Sequence, residues 1–201
     1  NHLYANNVNV EGNSYVGGIH GSEGSIHKCS VKNSTIKATG DYVGGIAGIS
    51  NWNIYNLEII NTKITSNYVG TIAGKHGTSL NSFNMYAKDC TVEGNSYVGG
   101  IFGVFLCQPL YLTYTNSKVT ATNHTAGGII GYLDNTNMTA VNNTSKLYNN
   151  YVAGGTITAK TNAGGFIGNI TEDLYMPDTY YYSNYVEAYV NCDDDSTSSL
   201  G

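Results

Sequence analysis

The sequence predicts an all-β fold: a parallel β-helix, or β-solenoid, of about six to seven coils with roughly 27 residues per coil. Three observations support this prediction. The phrase Tyr-Val-Gly-Gly-Ile-x-Gly recurs, with variations, at steps of 27, 26, 29, 28 and 37 residues. Apolar residues occupy fixed positions ahead of each copy. The chain also has 25 Gly but only 2 Pro, which suits strands joined by tight corners.

The glycine phrase contains two columns that are apolar in every copy. The Val column holds Val16, Val43, Val69, Val98, Ala126 and Ala163. The Ile column holds Ile19, Ile46, Ile72, Ile101, Ile129 and Phe166. The columns lie three residues apart, so plain strand alternation would place them on opposite faces. We therefore expect the Gly-Gly pair to bend the chain and turn both columns inward. The next residue varies, from His20 to Ala47 to Phe102, and is expected to face outward.

Upstream of each phrase, a second set of columns predicts two further strands and a corner. The inward columns are Ala5, Val31, Ile59, Ala87, Tyr114 and Val152, and then Val10, Ile36, Ile64, Val92, Val119 and Ile157. Between them stand Asn7, Asn33, Asn61, Asp89, Asn116 and Gly154. Asn and Asp tolerate the left-handed backbone conformation, so this column predicts a corner.

The repeats assign residues 1–190 to one solenoid domain and residues 191–201 to an acidic, Ser-rich tail or linker. The tail contains Asp193-Asp194-Asp195, which we interpret as a solvated run rather than a calcium site. Leu3 already lies in the repeat register, with no polar cap ahead of it. Solenoids need caps at their ends, so we expect either a longer parent chain or end-to-end stacking.

Composition argues against several functional classes. The chain has no Arg and a net charge of −5, so nucleic-acid partners are not expected. No apolar run is long enough for a membrane span. No cofactor or metal site is expected, because the histidines lack ligand spacing; they are His2, His20, His27, His76 and His124. Carboxylates such as Glu11, Glu58 and Glu93 are scattered, which predicts that the chain is not an enzyme.

The phrase, with its flanking Val-x-Gly turns and period near 27, resembles the GLUG repeat of bacterial surface proteins. Similar repeats occur in bacterial adhesins and in the non-catalytic region of IgA1-protease-type zinc metallopeptidases. The matching residues are 16–21, 43–48, 69–74, 98–103, 126–131 and 163–168. The resemblance implies a secreted or cell-surface solenoid with a structural or adhesive function. Thr71 departs from the pattern, and the last two copies lack Tyr-Val. The His-Glu-x-x-His sequence of those metallopeptidases is absent, so protease activity is not expected.

The Tyr column is the candidate ligand- or partner-binding surface; it consists of Tyr15, Tyr42, Tyr68 and Tyr97. These side chains are expected to point outward and form a ladder across the coils. Such a ladder could dock glycans or a host surface protein, because tyrosine combines an apolar face with a polar tip. Alternatively, the rings stack on one another and only stiffen the solenoid. Self-association and contacts with neighbouring domains are the other expected partnerships.

Two further groups of residues are candidates for modification. Asn-x-Ser/Thr sequons begin at Asn33, Asn123, Asn137, Asn142, Asn143 and Asn169. Sequons of this kind also arise by chance in a chain rich in Asn, Ser and Thr. Asn33 is expected to lie at a corner that could carry a glycan without disturbing the core. The four cysteines could form disulfides or remain buried thiols; they are Cys29, Cys90, Cys107 and Cys192.

Overall fold

The computed structural model describes residues 2–22, 24–77, 82–106, 110–134, 144–170 and 178–193. These residues form a parallel β-solenoid built from three sheets. The strand pairs in all three sheets are parallel. Within the described ranges, the chain has no helix with the length and apolar character that crossing a bilayer would require.

The largest sheet, which we call sheet A, has 13 strands and bends at the Asn column, so that each coil contributes two arms. The strands of the first arm are β1 (Leu3–Asn6), β5 (Ile26–Lys32), β9 (Ile54–Ile60) and β13 (Ser82–Lys88). Those of the second arm are β2 (Asn9–Gly12), β6 (Thr35–Ala38), β10 (Lys63–Ser66) and β14 (Thr91–Gly94). Further strands of sheet A are β17 (Leu110–Ala121), β20 (Thr144–Tyr148), β21 (Tyr151–Ala159), β24 (Asp178–Tyr182) and β25 (Tyr185–Cys192).

Two smaller sheets, B and C, have six strands each and are formed by the glycine phrase. Sheet B contains β3 (Val16–Gly17), β7 (Val43–Gly44), β11 (Val69–Gly70), β15 (Tyr97–Gly99), β18 (Thr125–Gly127) and β22 (Asn162–Gly164). Sheet C contains β4 (His20–Ser22), β8 (Ala47–Ser50), β12 (Ala73–His76), β16 (Phe102–Phe105), β19 (Ile130–Leu133) and β23 (Ile167–Ile170).

The pairing register reproduces the columns of the sequence. In sheet B, Val43 pairs with Val16 and Val69, and in the second arm of sheet A Ile64 pairs with Ile36 and Val92. Hydrogen bonds between neighbouring coils join residues 26 to 29 positions apart. About four turns of about 28 residues therefore stack in regular register, and a longer step of 37 residues follows. The predicted fold class is confirmed; the predicted six to seven coils are more than these four regular turns.

The Asn column forms the predicted corner between the two arms of sheet A. Its residues have positive φ: Asn7 (56°), Asn33 (49°), Asn61 (47°), Asp89 (54°), Asn116 (46°) and Gly154 (69°). The Ser or Thr that follows the turn residue donates back to the carbonyl oxygen before it, as when Thr62 Oγ1 donates to the Ile60 carbonyl oxygen at 3.0 Å. The corner therefore combines a left-handed residue with a local side-chain hydrogen bond.

The glycine phrase bends as predicted between sheets B and C. Val43 and Ile46 are both fully buried, although they lie three residues apart. The intervening pair has no room for side chains, since a Cβ on Gly45 would lie 2.5 Å from the Thr71 carbonyl oxygen. Burying one Val or Ile side chain stabilises a fold by about 1.5–3 kcal/mol, so the two columns supply much of the core energy.

The expectation that the residue after the Ile column faces outward is wrong. Ala47 is 2% exposed and Phe102 is fully buried. Sheet C is covered on both faces. One face packs into the core. The other face lies against the backbone of the residues that directly precede the strands of sheet B, so a Cβ on Gly48 would be 2.7 Å from the Tyr15 Cα atom. A parallel sheet covered on both faces carries apolar residues on both, so the variation at this position did not indicate exposure.

The last described strand, β25, ends at Cys192, and the Asp193 amide donates to the Ala159 carbonyl oxygen at 3.0 Å. Strand pairing thus extends slightly past residue 190, where we placed the domain end. Asp194, Asp195 and the rest of the predicted tail lie outside the described residues.

Candidate functional site: an aromatic ladder beside the glycine bend

The four tyrosines of the Tyr column lie one above another along the solenoid axis. The ring centroids of Tyr15 and Tyr42 are 6.0 Å apart, with the ring planes 4° from parallel. The Tyr42–Tyr68 and Tyr68–Tyr97 distances are both 5.2 Å. We call this row the tyrosine ladder. The structure thus brings together all four residues that the sequence singled out.

A fifth ring, which the sequence reasoning missed, continues the tyrosine ladder. Tyr132 stacks on Tyr97 with centroids 4.6 Å apart, yet it belongs to sheet C rather than to the Tyr column. In this coil the column itself holds Thr125, and Tyr132 takes the ring position from the neighbouring strand. Only the register of sheet C, in which Tyr132 pairs with Val104, reveals this substitution.

The glycine phrase positions the ladder. Each tyrosine directly precedes a buried valine, so its own side chain is directed away from the core. Tyr15 and Tyr42 adopt positive φ values of 57° and 58°, which are rare for aromatic residues. Such a conformation costs about 1 kcal/mol or more, and ring stacking contributes about 0.5–1.5 kcal/mol per pair beyond burial.

Stacking determines which parts of the rings a ligand could reach. Each inner ring has its faces covered by its neighbours, and Lys75 Nζ lies 5.5 Å from the centroid of the Tyr42 ring. Tyr15, at the first coil, is 49% exposed. Burial, together with the neighbouring tyrosines, raises the pKa of Tyr42 and Tyr97 above the usual range. The ladder therefore presents its rings mainly by their edges and hydroxyl groups, and the phenols of Tyr42 and Tyr97 stay neutral at neutral pH.

A second aromatic row runs along the start of sheet A. His27, Tyr55 and Phe83 stack with centroid distances of 5.1 Å at both steps. Their columns are half-buried and do not belong to the glycine phrase. Aromatic stacking between coils is therefore a general device of this solenoid and is not confined to the tyrosine ladder.

A ladder of amides, which we call the Asn ladder, lies on the surface of the Asn corner. Asn33 Nδ2 donates to Asn6 Oδ1 at 2.9 Å, and Asn61 Nδ2 donates to Asn33 Oδ1 at 2.8 Å. Farther along, Asn116 Nδ2 donates to Asp89 Oδ1 at 2.5 Å. A carboxylate cannot donate to Asn61 Oδ1, so Asp89 interrupts the series.

The described sequons differ in how their acceptor amides are placed. Asn33 is exposed, but both ends of its amide are hydrogen-bonded within the Asn ladder, so a glycan there would displace structural bonds. Asn123 is exposed in a bend, whereas Asn169 accepts a hydrogen bond from the Ile170 amide at 2.8 Å. Asn137, Asn142 and Asn143 lie outside the described residues. Whether any sequon carries a glycan stays a prediction.

The cysteines have different surroundings. Cys29 and Cys90 are free, buried thiols. Burial raises the pKa of Cys90 to about 11, which keeps it protonated and unreactive at neutral pH. Cys192 is half-buried, with its Sγ atom 3.0 Å from the Thr161 carbonyl oxygen. Cys107 lies outside the described residues.

Several carboxylates have structural partners. Glu58 pairs with Lys32 at 2.6 Å, and Glu93 pairs with Lys63 at 3.0 Å. Asp41 Oδ1 accepts a hydrogen bond from Asn67 Nδ2 at 2.7 Å. Across the described ranges, no three His, Cys, Asp or Glu side chains gather closely enough to hold a metal ion. The two ion pairs therefore link neighbouring coils.

One histidine is a core residue, which its sequence position did not indicate. His76 is fully buried in β12, and its ring stacks against Phe102 at a centroid distance of 5.4 Å. Burial lowers the pKa of His76 to about 4. Its two ring nitrogens bond groups from neighbouring coils, so it acts as a polar link inside the solenoid.

Comparison with known proteins supports the fold. No protein-family model matches the chain, so no family assignment supports the GLUG resemblance, and no curated protein matches it in sequence. A crystal structure described as a putative immunoglobulin A1 protease from Bacteroides ovatus is similar, with a TM-score of 0.57 and 16% sequence identity. The match covers 98% of this chain and 60% of that one. At this identity the similarity shows a shared fold, and this chain spans about three fifths of the longer protein's length.

Proposed function

We propose that this chain is a non-enzymatic structural or adhesive β-solenoid of a secreted or cell-surface protein. The observation that carries this proposal is the continuity of its side-chain columns. Tyrosine rings, amides and core valines each repeat from coil to coil in parallel register. Such repetition produces a stiff rod with extended surfaces rather than one distinctive pocket.

The placement of polar groups supports a role without catalysis. Glu11 and Glu93, which share a column, are separated by the rows of Lys37 and Thr65. Strands are about 4.8 Å apart, so three steps place these carboxylates roughly 14 Å from each other. That separation exceeds the spacing at which two carboxylates cooperate in glycoside hydrolysis.

A module within a longer protein is the arrangement we favour. The similar solved chain is longer than the matched region, which supports the idea of neighbouring domains. The six strands in each smaller sheet support a full count of six to seven coils. On this proposal, the partners are adjoining domains of the same protein or further copies of the solenoid stacked end to end.

Localisation is tested on intact cells of the organism that makes the protein. An antibody against the purified chain should label unpermeabilised cells or detect the protein in the medium, and brief external protease treatment should remove the cell-surface signal. A cytoplasmic protein of the same cells serves as the control for leakage. Labelling confined to lysed cells would contradict an extracellular role.

Glycan binding by the tyrosine ladder is the alternative function. Aromatic residues bind sugars through their ring faces, and stacking covers those faces in the ladder. The alternative therefore depends on ring edges, hydroxyl groups and the outer face of Tyr15. A glycan array with the wild-type chain and a Tyr42→Ala/Tyr68→Ala variant tests it, with Tyr55→Ala in the second aromatic row as the matched control. Binding lost only in the double variant would favour the alternative; its absence in the wild type would exclude it for the glycans tested.

End-to-end stacking is tested separately by light scattering and electron microscopy across a range of concentrations. Filaments or concentration-dependent oligomers are expected if the solenoid joins to itself. Monomers at every concentration would contradict self-stacking and leave covalently joined domains as the remaining arrangement.

A further inference from the structure

A polar chain inside the solenoid links three successive coils at the corner between sheets C and A, which we call the loop corner. The Ser50 hydroxyl shares its single proton between the Gly24 and Trp52 carbonyl oxygens, which lie 3.2 and 3.3 Å from Oγ. His76 Nδ1 lies 2.9 Å from the Ser50 carbonyl oxygen. On the other side of the ring, Nε2 contacts the hydroxyl of Ser82.

The partners of His76 determine its protonation state. A backbone carbonyl can only accept a hydrogen bond, so Nδ1 carries the proton and donates to Ser50. Nε2 then lacks a proton and accepts from the Ser82 hydroxyl. Both nitrogens are satisfied in the neutral ring, and both partners come from neighbouring strands, β8 and β13.

The described residues around the ring supply no negative charge to pair with a protonated imidazole. The hydrogen bond to the Ser50 carbonyl favours the charged form, but burial outweighs it. Within the described part of the chain, its contacts come from the uncharged residues Ser50, Ser82, Phe102 and Phe105. The neighbouring Lys75 is the nearest charge in sequence, and its ammonium group lies over the Tyr42 ring instead. No carboxylate among the described residues faces His76 in these contacts. A proton on Nε2 would therefore place an unpaired charge in the core and reverse the hydrogen bond to Ser82.

We propose that His76 is an acid-sensitive latch: its protonation opens the loop corner locally, while the Asn corner on the other side of the coil stays closed. The opening separates the ends of β8, β12 and β13 around Trp52. The hydrogen bonds that close the latch are those of the neutral ring, so the closed state is the neutral-pH state.

The pH window follows from the two states of the ring. In the open corner His76 has its ordinary pKa of 6.5, and burial in the closed corner lowers the pKa to about 4. The closed state is therefore fully favoured above pH 6.5 and is progressively lost as the pH falls toward 4. Over this interval, the open fraction of the corner rises roughly 100-fold.

Hydrogen exchange on the whole chain, corrected for the intrinsic effect of pH, measures this opening amide by amide. The reporters are two backbone amides. That of Gly77 donates to the Ser50 carbonyl oxygen at 2.7 Å, and that of Leu106 donates to the backbone carbonyl oxygen of His76 at 3.1 Å. The amides of Asn33 and Asn61 bond carbonyl groups of the following coil at the Asn corner and serve as internal references. The reporters should lose roughly 100-fold of protection between pH 7 and pH 4, and the references should change far less. Equal changes at both corners would overturn the proposal.

Two variants separate the latch from general acid sensitivity. His76→Gln has no titratable group and can still donate one hydrogen bond and accept another, so it should abolish the pH dependence at the reporters. His124→Gln removes an exposed histidine and should leave the dependence unchanged. Persistence of the pH dependence in His76→Gln would overturn the proposal.

A third measurement does not depend on any variant folding. Titration of the His76 ring by NMR in the wild-type chain should give a pKa well below 6.5, and a value near 6.5 in the folded protein would overturn the proposal. Fluorescence of Trp52, the single tryptophan of the chain, should change over the same pH interval because its carbonyl group belongs to the latch.

Discussion

Two of the solenoid's corners turn the chain by opposite means. At the Asn corner, residues such as Asn33 and Asn61 adopt positive φ and present exposed side chains that bond across coils. At the glycine bend, side chains are missing because backbones of neighbouring strands occupy their space, as around Gly70. One corner is built by adding interactions, and the other by excluding atoms.

This difference predicts how each corner tolerates change. An amide ladder consists of separable bonds, each contributing about 0.5–1.5 kcal/mol, so its loss is graded. At the glycine bend the neighbouring backbones leave no space for a Cβ atom. Any substitution there must displace the neighbouring strand, so the loss of stability is large rather than graded. The Asn corner is therefore expected to vary freely and the glycine bend very little. Substitutions at three positions test this contrast.

The largest effect is expected from Gly70→Ala. A Cβ at this position would lie 2.5 Å from the Ile101 carbonyl oxygen and 2.7 Å from the Gly103 nitrogen. Separating these strands should lower the free energy of unfolding by at least about 3 kcal/mol, measured by urea denaturation. Gly12→Ala is the control, because its Cβ would meet only the Val16 side chain and the site is exposed. Equal losses in the two variants would refute the role of backbone crowding.

A smaller loss is expected at the Asn corner, and two substitutions of Asn61 divide it into its causes. Asn61→Gly removes the 2.8 Å bond to Asn33 but accepts the φ of 47°, so it should cost about 1 kcal/mol. Asn61→Ala removes the same bond and also strains the backbone, so it should cost about 2 kcal/mol. Thermal and urea unfolding measure both. If alanine is tolerated as well as glycine, the left-handed conformation is not what selects asparagine here.

The smallest effect has the opposite sign. The carboxylate of Asp89 cannot donate a hydrogen bond to Asn61 Oδ1, but the amide of Asp89→Asn could. The new side chain would also keep an oxygen that accepts from Asn116. The gain is expected to be about 0.5 kcal/mol, because the exposed pair between Lys88 and Asp89, at 3.9 Å, is lost at the same time. Asp41→Asn is the matched control. Asp41 also accepts a hydrogen bond from an amide, that of Asn67, but its neighbour in the preceding coil is the hydroxyl of Ser14 rather than an amide oxygen. A stability gain in both variants would point to a general charge effect.

The sequence predicted those features that depend on one coil alone. The column containing Asn33 identified a left-handed corner, and the spacing of Val43 and Ile46 required a bend. These predictions rest on local backbone rules, which hold whatever the neighbouring coils contain.

Features that depend on how one sheet lies against another were missed. Phe102 is buried because sheet C is covered on both faces, and Tyr132 joins the tyrosine ladder from another sheet. The sequence assigned no role to His76, and its pairing with Ser50 and Phe105 places it in the core. Each of these outcomes requires the relative position of two sheets, which the repeat period alone does not specify.

The direction of the Asn ladder has a further consequence. The amides of the ladder donate toward the earlier coil, as from Asn33 to Asn6 and from Asn61 to Asn33. Aligned amide groups polarise one another, so their dipoles sum along the axis as peptide dipoles do in an α-helix. The Asn ladder therefore gives the surface a net dipole along the solenoid axis. Removing an amide from the middle of the row should weaken the hydrogen bonds of the amides on both sides of it.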